Sequence, residues 1–198
     1  MKKSCFLYVL LMIFAWPASS QTSMTETAAA DAMANINHAE EIYIIPAPVS
    51  LIKGEGHFLL PQNVIIQYPA APELKQAVAF LRERLSIPTG SFVTDVNTST
   101  SAATIKLILN DKHETKLGAE GYHLSVNTRA VTIRANKPAG IFYGIQSLVQ
   151  LFPKEIESKE LVETIEWVAP CVEITDYPRV GWRGLMFDVA RHFFTKAE

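Results

Sequence analysis

The chain has 198 residues, a formal net charge of −2 and 48% hydrophobic residues. A charge balance this close to neutral provides no field that would attract nucleic acid or an anionic membrane surface, so a neutral ligand suits the chain better. The length allows one ordinary domain, or one domain and part of another.

The first twenty residues have the order of a secretory signal peptide. Two lysines precede an apolar run over residues 5–16, and small residues follow at 18–20. This order predicts a cleaved signal over residues 1–20 and export to the periplasm, the outer surface or the medium. The apolar run is shorter than the roughly 20 residues of a spanning helix, so no transmembrane segment is expected after cleavage. The alternative is an uncleaved N-terminal anchor.

Residues 21–40 are rich in Thr, Ala and Asn, and they are predicted to form a linker. The two cysteines are Cys5 and Cys171, so removal of the signal leaves Cys171 without a partner for an internal disulfide. Its apolar surroundings predict a buried thiol with no chemical role. The five histidines are scattered without ligand spacing, so no metal and no cofactor are expected.

Residues 41–175 are predicted to form one α+β unit. Apolar residues at three- and four-residue steps predict helices over 72–85 and 138–152, and a polar stretch predicts a loop over 94–101. Short apolar runs predict strands at 49–53, 57–60, 64–68, 104–109, 121–126, 130–134, 162–168 and 171–175, with a turn at 54–56. The expected fold is a mixed or antiparallel sheet with two helices on one face, in which the strands at 121–126 and 130–134 form a hairpin.

The sequence D-Y-P-R at 176–179 is predicted to be a domain boundary. After it, the apolar run L-M-F at 185–187 predicts a strand, and K-A-E at 196–198 is typical of a helix beginning. A single strand followed by a helix cannot bury its own faces. Residues 176–198 are therefore expected to begin a second domain that the sequence truncates.

The segment W-R-G-L-M-F-D-V-A-R-H-F-F at residues 182–194 carries the most specific signal. It resembles the first barrel strand of glycoside hydrolase family 20, the β-N-acetylhexosaminidases, and keeps every fixed position of W/H-R-G-x-x-x-D-x-x-R-H-[FY]. The stretch I-P-A-P at 45–48 resembles the entry to the family's accessory domain. The stretch A-G-I-F-Y-G-I-Q-S-L at 139–148 resembles the helix before its barrel. The resemblance implies an accessory α+β domain followed by the first strand of a truncated (β/α)8 barrel.

In such a barrel, ligand groups come from the carboxyl ends of the strands, where Arg191 and His192 would lie. The resemblance implies that Arg191 binds the hydroxyls of the terminal sugar, and a guanidinium can hold two neighbouring oxygens at once. Asp188 could orient that guanidinium by a charge-assisted hydrogen bond, and His192 is expected to pack against the site or to brace it. The alternative for Arg191 is a surface residue at a strand end. Arg183 lies near the start of the strand, which favours structural pairing.

Aromatic and small residues of the second predicted helix have a structural interpretation. Phe142 and Tyr143 lie at helical spacing beside Ile141, so they are expected to be core or domain-interface residues and not a sugar-stacking platform. Gly140 and Gly144 lie four residues apart and could allow close packing of the helix.

The resemblance also implies a mechanism, which is the substrate-assisted, retaining hydrolysis of terminal N-acetylglucosamine or N-acetylgalactosamine. The 2-acetamido oxygen of the substrate attacks the anomeric carbon, a Glu protonates the leaving oxygen, and the preceding Asp holds the acetamido group. No Asp-Glu dipeptide occurs in these 198 residues. The chain is therefore expected to lack catalytic residues and to be inactive by itself, whereas the parent protein acts on glycans with a terminal N-acetylhexosamine.

Two alternatives remain open. The chain could carry the accessory domain of another glycosidase class, such as the family 84 hexosaminidases or bacterial α-glucuronidases, whose barrels begin with different motifs. It could also be a non-catalytic carbohydrate-binding or surface-assembly module, in which residues 176–198 would be a tail. The D-x-x-R-H pattern at 188–192 favours family 20 over the other glycosidase classes. Glycan binding by residues 40–175 would support the module, and a stop codon directly after residue 198 would separate it from the enzyme.

Overall fold

The structure is a computed structural model, and it describes residues 42–186 together with residues 188 and 195. The predicted signal peptide and linker lie outside the described residues. None of the helices in the described part of the chain has the length and apolarity that crossing a membrane requires.

In this part of the chain, seven strands form one sheet and two α-helices pack against it. The strands are β1 (Ser50–Leu59), β2 (Asn63–Gln67), β3 (Phe92–Val96), β4 (Ile105–Leu109), β5 (Tyr122–Val126), β6 (Val131–Ala135) and β7 (Val168–Asp176). The helices are α1 (Lys75–Thr89) and α2 (Pro138–Leu151), and 3-10 turns at Pro72–Leu74 and Lys154–Glu157 precede α1 and follow α2. The predicted helices and most of the predicted strands are confirmed.

The sheet is mixed, with the strand order β1-β7-β5-β6-β4-β2-β3. The pairs on the β1 side are antiparallel, and the pairs from β6 to β3 are parallel. The predicted hairpin is confirmed, because Tyr122 pairs with Ala135 and Leu124 pairs with Ile133 across β5 and β6. The parallel pair of β2 and β3 is joined by α1, as a parallel connection requires a crossover.

One face of the sheet forms the core together with both helices. Leu107, Leu124 and Ile133 alternate with more exposed residues along their strands and are at most 2% exposed. Leu81 of α1 and Ile145 of α2 belong to the same buried cluster. Burying side chains of this size contributes roughly 1.5–3 kcal/mol each, so the apolar alternation of the strands and the helical spacing together specify this layer. The two helices lie on one face, as predicted.

The opposite face of the sheet is polar and half-exposed. His123 of β5 bonds through Nδ1 to Thr175 Oγ1 at 2.8 Å, and its Nε2 lies 3.1 Å from Glu114. The side chain of Glu114 thereby joins the loop before β5 to the sheet. On β5, the side chains that point to this face are polar, as strict alternation along a strand predicts.

The turn predicted at residues 54–56 is wrong. The chain runs straight through them as part of β1, and its pairing with β7 shifts register between Lys53 and His57. Gly56 has a φ angle of +84°, which suits a bulge and which residues with a Cβ atom rarely adopt. A Gly-x-Gly sequence is equally compatible with a turn and with a bulge. The bulge forms here because β1 pairs with β7 on both sides of it.

Two further predictions differ from the structure. Residues 94–96, placed in a loop by their polarity, belong to the edge strand β3, where Asp95 accepts hydrogen bonds from Tyr68 and Arg82. The strand expected at 162–168 is absent, since residues 161–167 have no regular secondary structure. The last strand instead begins at Val168 and runs without a break through Pro170.

Candidate functional site

The structure places one of the three predicted site residues, and it places that residue at the surface. Asp188 is exposed and has no regular secondary structure, whereas Arg191 and His192 lie outside the described residues. Residues 182–186 contain no strand, and the side chains of Leu185 and Met186 are 87% and 94% exposed. The first barrel strand stays a prediction, because no sheet edge in the described part of the chain pairs with this segment.

The segment that leads to these residues borders a cleft of about 470 Å³. Its walls come from residues 44–47, from one side of α2, from residues 176–180 with Arg183, and from Glu120 and Tyr122. Gln150 of α2 holds the first wall, because its Oε1 accepts from Ile45 N–H at 2.9 Å and its Nε2 donates to the Ile45 carbonyl at 3.2 Å. The cleft therefore lies where the chain enters and leaves the domain.

The entering and leaving segments are bonded to each other. The backbone N–H of Val49 donates to Asp176 Oδ1 at 3.0 Å, and the guanidinium of Arg179 donates to the carbonyl of Ala47 at 3.4 Å. The motif I-P-A-P at 45–48 and the boundary motif D-Y-P-R at 176–179 thus meet in space.

The floor of the cleft contains a buried polar group. The hydroxyl of Tyr122 lies 2.5 Å from Ser147 Oγ, and the two residues are 2% and 5% exposed. Burial raises the pKa of Tyr122 to about 12; the hydrogen bond between Tyr122 and Ser147 acts in the opposite direction, and the nearby carboxylate of Asp176 raises the pKa further. Neutral tyrosine is therefore the form that the fold requires.

This burial predicts a loss of stability at high pH. Below pH 10 the tyrosine is protonated in both states, and between 10 and about 12 only the unfolded state ionises, so the stability that Tyr122 contributes is lost over this window. We expect the free energy of unfolding, measured by urea denaturation, to be lower at pH 11 than at pH 9. In Tyr122→Phe this difference between the two pH values should be smaller. An equal decrease in the wild type and in Tyr122→Phe would contradict the assignment.

Arg183, beside the cleft, forms an ion pair with Glu120. The hydrogen bond with Glu120 raises the pKa of Arg183, so the guanidinium is charged throughout the physiological range. This contact confirms the structural pairing predicted for Arg183. It also joins the segment before Asp188 to the loop before β5.

The loop that carries Glu120 is held by a buried asparagine. Asn136 Nδ2 donates to the carbonyls of Glu114 and Gly118 at 2.7 and 2.8 Å, and its Oδ1 accepts from Glu114 N–H and Asn110 Nδ2, both at 2.9 Å. Both donors and both lone pairs of this amide are in use, and the residue is 9% exposed. The amide therefore fixes the path of residues 110–118.

Replacing this asparagine is expected to loosen the loop. Asn136→Ala leaves four groups of residues 110–118 without their partner in a half-buried setting, so we expect a loss of about 3 kcal/mol in the free energy of unfolding, measured by urea denaturation. Asn127→Ala is the matched control, because Asn127 accepts two backbone bonds in the exposed hairpin turn and should cost about 1 kcal/mol or less. Equal losses in the two variants would show that Asn136 has no special role.

Sequence reasoning missed Glu120 and Asn136. A lone Glu in a polar loop is indistinguishable from a solvated surface charge, and Asn136 bonds to groups 18 to 26 residues away.

The predicted buried state of Cys171 is confirmed, since the residue is 4% exposed and burial raises the pKa of its thiol. Phe142 and Tyr143 are 39% and 41% exposed, so neither is a core residue, and Tyr143 lines the cleft; the interface interpretation stays a prediction.

Titratable residues in the described part of the chain do not gather into a metal site. Across residues 42–186, 188 and 195, no group of three or more His, Cys, Asp or Glu side chains could hold a metal ion. The cleft instead offers apolar walls, one ion pair at its rim and a buried hydroxyl pair at its floor, an arrangement suited to packing against a further protein surface or a neutral ligand.

Comparison with known proteins gives a consistent result. A sequence model described as glycosyl hydrolase family 20, domain 2, matches residues 41–177. A beta-hexosaminidase of Porphyromonas gingivalis is 34% identical over 155 residues, which cover 78% of this chain and 19% of that protein. A beta-N-acetylhexosaminidase of Cellulomonas fimi is 31% identical over 156 residues, covering 78% of this chain and 30% of that protein.

Solved structures agree with the sequence comparison. The N-acetyl-beta-hexosaminidase of Streptomyces plicatus, solved in complex with Thio-NAglucal, has a TM-score of 0.68 and 32% identity, covering 76% of this chain and 29% of that one. The chain thus spans from about a fifth to less than a third of the length of these relatives.

Proposed function

The chain belongs to glycosyl hydrolase family 20, and from this membership we propose that the full-length protein removes terminal, non-reducing N-acetylglucosamine or N-acetylgalactosamine from glycans. By full-length protein we mean the complete product of the gene that encodes these residues. The observation that carries the proposal is the sequence D-x-x-R-H at 188–192, which begins 11 residues after the end of the matched domain at residue 177. The names of the relatives, beta-hexosaminidase and beta-N-acetylhexosaminidase, support the same substrate class.

In the proposed mechanism, the residues of this chain bind the substrate and do not carry out the chemistry. Arg191 holds the hydroxyls of the terminal sugar, Asp188 orients the guanidinium and His192 braces the site. The acetamido oxygen of the substrate attacks the anomeric carbon, and an Asp-Glu pair outside these 198 residues supplies the polarising carboxylate and the acid. No cofactor takes part in this scheme.

The domain organisation is part of the proposal. Residues 41–175 form the accessory domain, and residues 176–198 begin a (β/α)8 catalytic domain. The predicted signal at residues 1–20 would export the protein to the periplasm, the outer surface or the medium, where glycans with terminal N-acetylhexosamine are accessible.

The proposal is tested by assaying the full-length protein and the 198-residue chain side by side on an aryl N-acetyl-β-glucosaminide. We expect release of the aryl group by the full-length protein and none by the 198-residue chain. Binding of the glycoside by the full-length protein without release would instead support the carbohydrate-binding module. Release by the 198-residue chain would contradict the proposed location of the catalytic carboxylates.

A further inference from the structure

We propose that Glu120 is a positioning residue, which acts through its ion pair with Arg183 to fix the place where the sugar-binding segment leaves the accessory domain. The inference rests on the proposed function, because it assigns a purpose to a contact that leads to Arg191. It goes further by giving the accessory domain a role in the placement of the substrate.

The first step concerns how residues 177–186 are held. They have no regular secondary structure, and Trp182 and Met186 are 84% and 94% exposed. Side chains tie this segment to the domain at Tyr177, over whose ring Lys116 lies at 5.6 Å, at Arg179 and at Arg183. The predicted barrel strand begins only at Leu185, so the place where the chain reaches that strand depends on these contacts.

Arg183 is the tie that matters most for the site. It lies five residues before Asp188 and eight before Arg191, closer in sequence than Tyr177 or Arg179. An extended chain covers about 3.3 Å per residue, so only a short stretch of chain separates Arg183 from Asp188. A displacement of Arg183 would therefore also displace Asp188.

The second step concerns the base of the anchor. Glu120 directly precedes Gly121, where an added Cβ would lie 2.5 Å from the Leu117 carbonyl oxygen and 2.9 Å from the Asp176 carbonyl oxygen. The chain therefore passes in direct contact with β7 at this point. Together with the four hydrogen bonds of Asn136, this close packing makes the loop a rigid base from which a carboxylate can position a partner.

The third step compares a structural with a positioning role. The two side chains of the pair are 47% and 37% exposed, and an ion pair this exposed contributes little to folding. A small displacement of a substrate-binding group, in contrast, reduces activity strongly. Loss of the pair should therefore affect the Michaelis constant much more than the thermal stability.

The test uses the full-length protein with Glu120→Gln, Arg183→Gln and the double substitution. We expect each single change to raise KM for an aryl N-acetyl-β-glucosaminide about tenfold and to leave kcat within about twofold, since the effect is on substrate binding. Arg183→Gln removes the ion pair and also the contact of Arg183 with Tyr143, so the double variant should be no worse than Arg183→Gln alone. KM values within about twofold of the wild type in both single variants, or losses that multiply in the double variant, would overturn the inference.

The matched control is Glu157→Gln. Glu157 pairs with Arg84 at 2.5 Å in a similarly exposed ion pair that does not touch residues 177–186. Removing it should leave KM unchanged. An equal rise of KM in Glu157→Gln would mean that exposed ion pairs act generally on the protein and would overturn the specific role of Glu120.

Hydrogen exchange separates this inference from the proposed function. In the full-length protein, Glu120→Gln is expected to speed amide exchange in peptides covering residues 177–186, and Glu157→Gln is not. If the wild-type protein releases no aryl group, the proposed function fails and the exchange measurement alone decides on the anchor. Unchanged exchange in Glu120→Gln would then overturn it.

Discussion

Replacing Arg191 by alanine in the full-length protein is expected to lower kcat/KM for N-acetylhexosaminides by at least about a hundredfold. The proposed contact joins one guanidinium to two neighbouring hydroxyls. Hydrogen bonds to charged groups contribute about 1.5–3 kcal/mol each, and each 1.4 kcal/mol corresponds to about a tenfold change. Truncation also leaves Asp188 without the cation that it is proposed to orient.

Lysine provides a graded comparison at the same position. Arg191→Lys keeps the positive charge but lacks the planar fork of donors, so we expect an intermediate loss of about tenfold in kcat/KM. Arg129→Ala, in the exposed hairpin turn, is the matched control and should have no effect. If Arg191→Ala hydrolysed N-acetylhexosaminides at the wild-type efficiency, the assignment of the sugar-binding site would be wrong.

The second large effect is expected on stability. Gly140, in the first turn of α2, packs so closely on the loop before β5 that an added Cβ would lie 2.3 Å from the Gly121 carbonyl oxygen and 2.8 Å from the Ala135 Cβ. These neighbours belong to the backbone and to a buried strand, so neither can move without disturbing the sheet. We expect Gly140→Ala to reduce the free energy of unfolding by about 3 kcal/mol, an overpacking cost.

Thermal denaturation of the chain measures this effect. A loss of this size should lower Tm by about 8 °C in a domain of this length. Gly181→Ala is the matched control, because an added Cβ there meets no atom within 4 Å and should leave Tm unchanged. An unchanged Tm in Gly140→Ala would show that the helix can move away from the sheet at little cost.

Much of the fold could be predicted from the sequence because its signals are local. Alternation at Tyr122, Leu124 and Val126 specifies both the strand and its buried face, and helical spacing specifies the buried side of α2. The strand β3 gave no such signal, since it lies at an edge and places Asp95 among its residues. The bulge in β1 was missed because its glycines are equally typical of a turn.

The site was less predictable for a physical reason. Arg191 and Asp188 could be singled out only because residues 182–194 resemble a family motif, and Arg191 lies outside the described residues. Glu120 acts through Arg183, a residue 63 positions further along the chain, and this partner follows from the packing of a loop on the sheet. Periodicity carries no information about contacts of this kind.

The central claim, that the full-length protein is an N-acetylhexosaminidase which uses the acetamido group of its substrate, is tested most directly by paired substrates. The measurement compares kcat/KM for an aryl N-acetyl-β-glucosaminide with kcat/KM for the matching aryl β-glucoside, which has a hydroxyl in place of the acetamido group. Because the acetamido oxygen is the proposed nucleophile, we expect a preference of at least about a thousandfold for the first substrate. Equal efficiency on the two substrates would contradict the account.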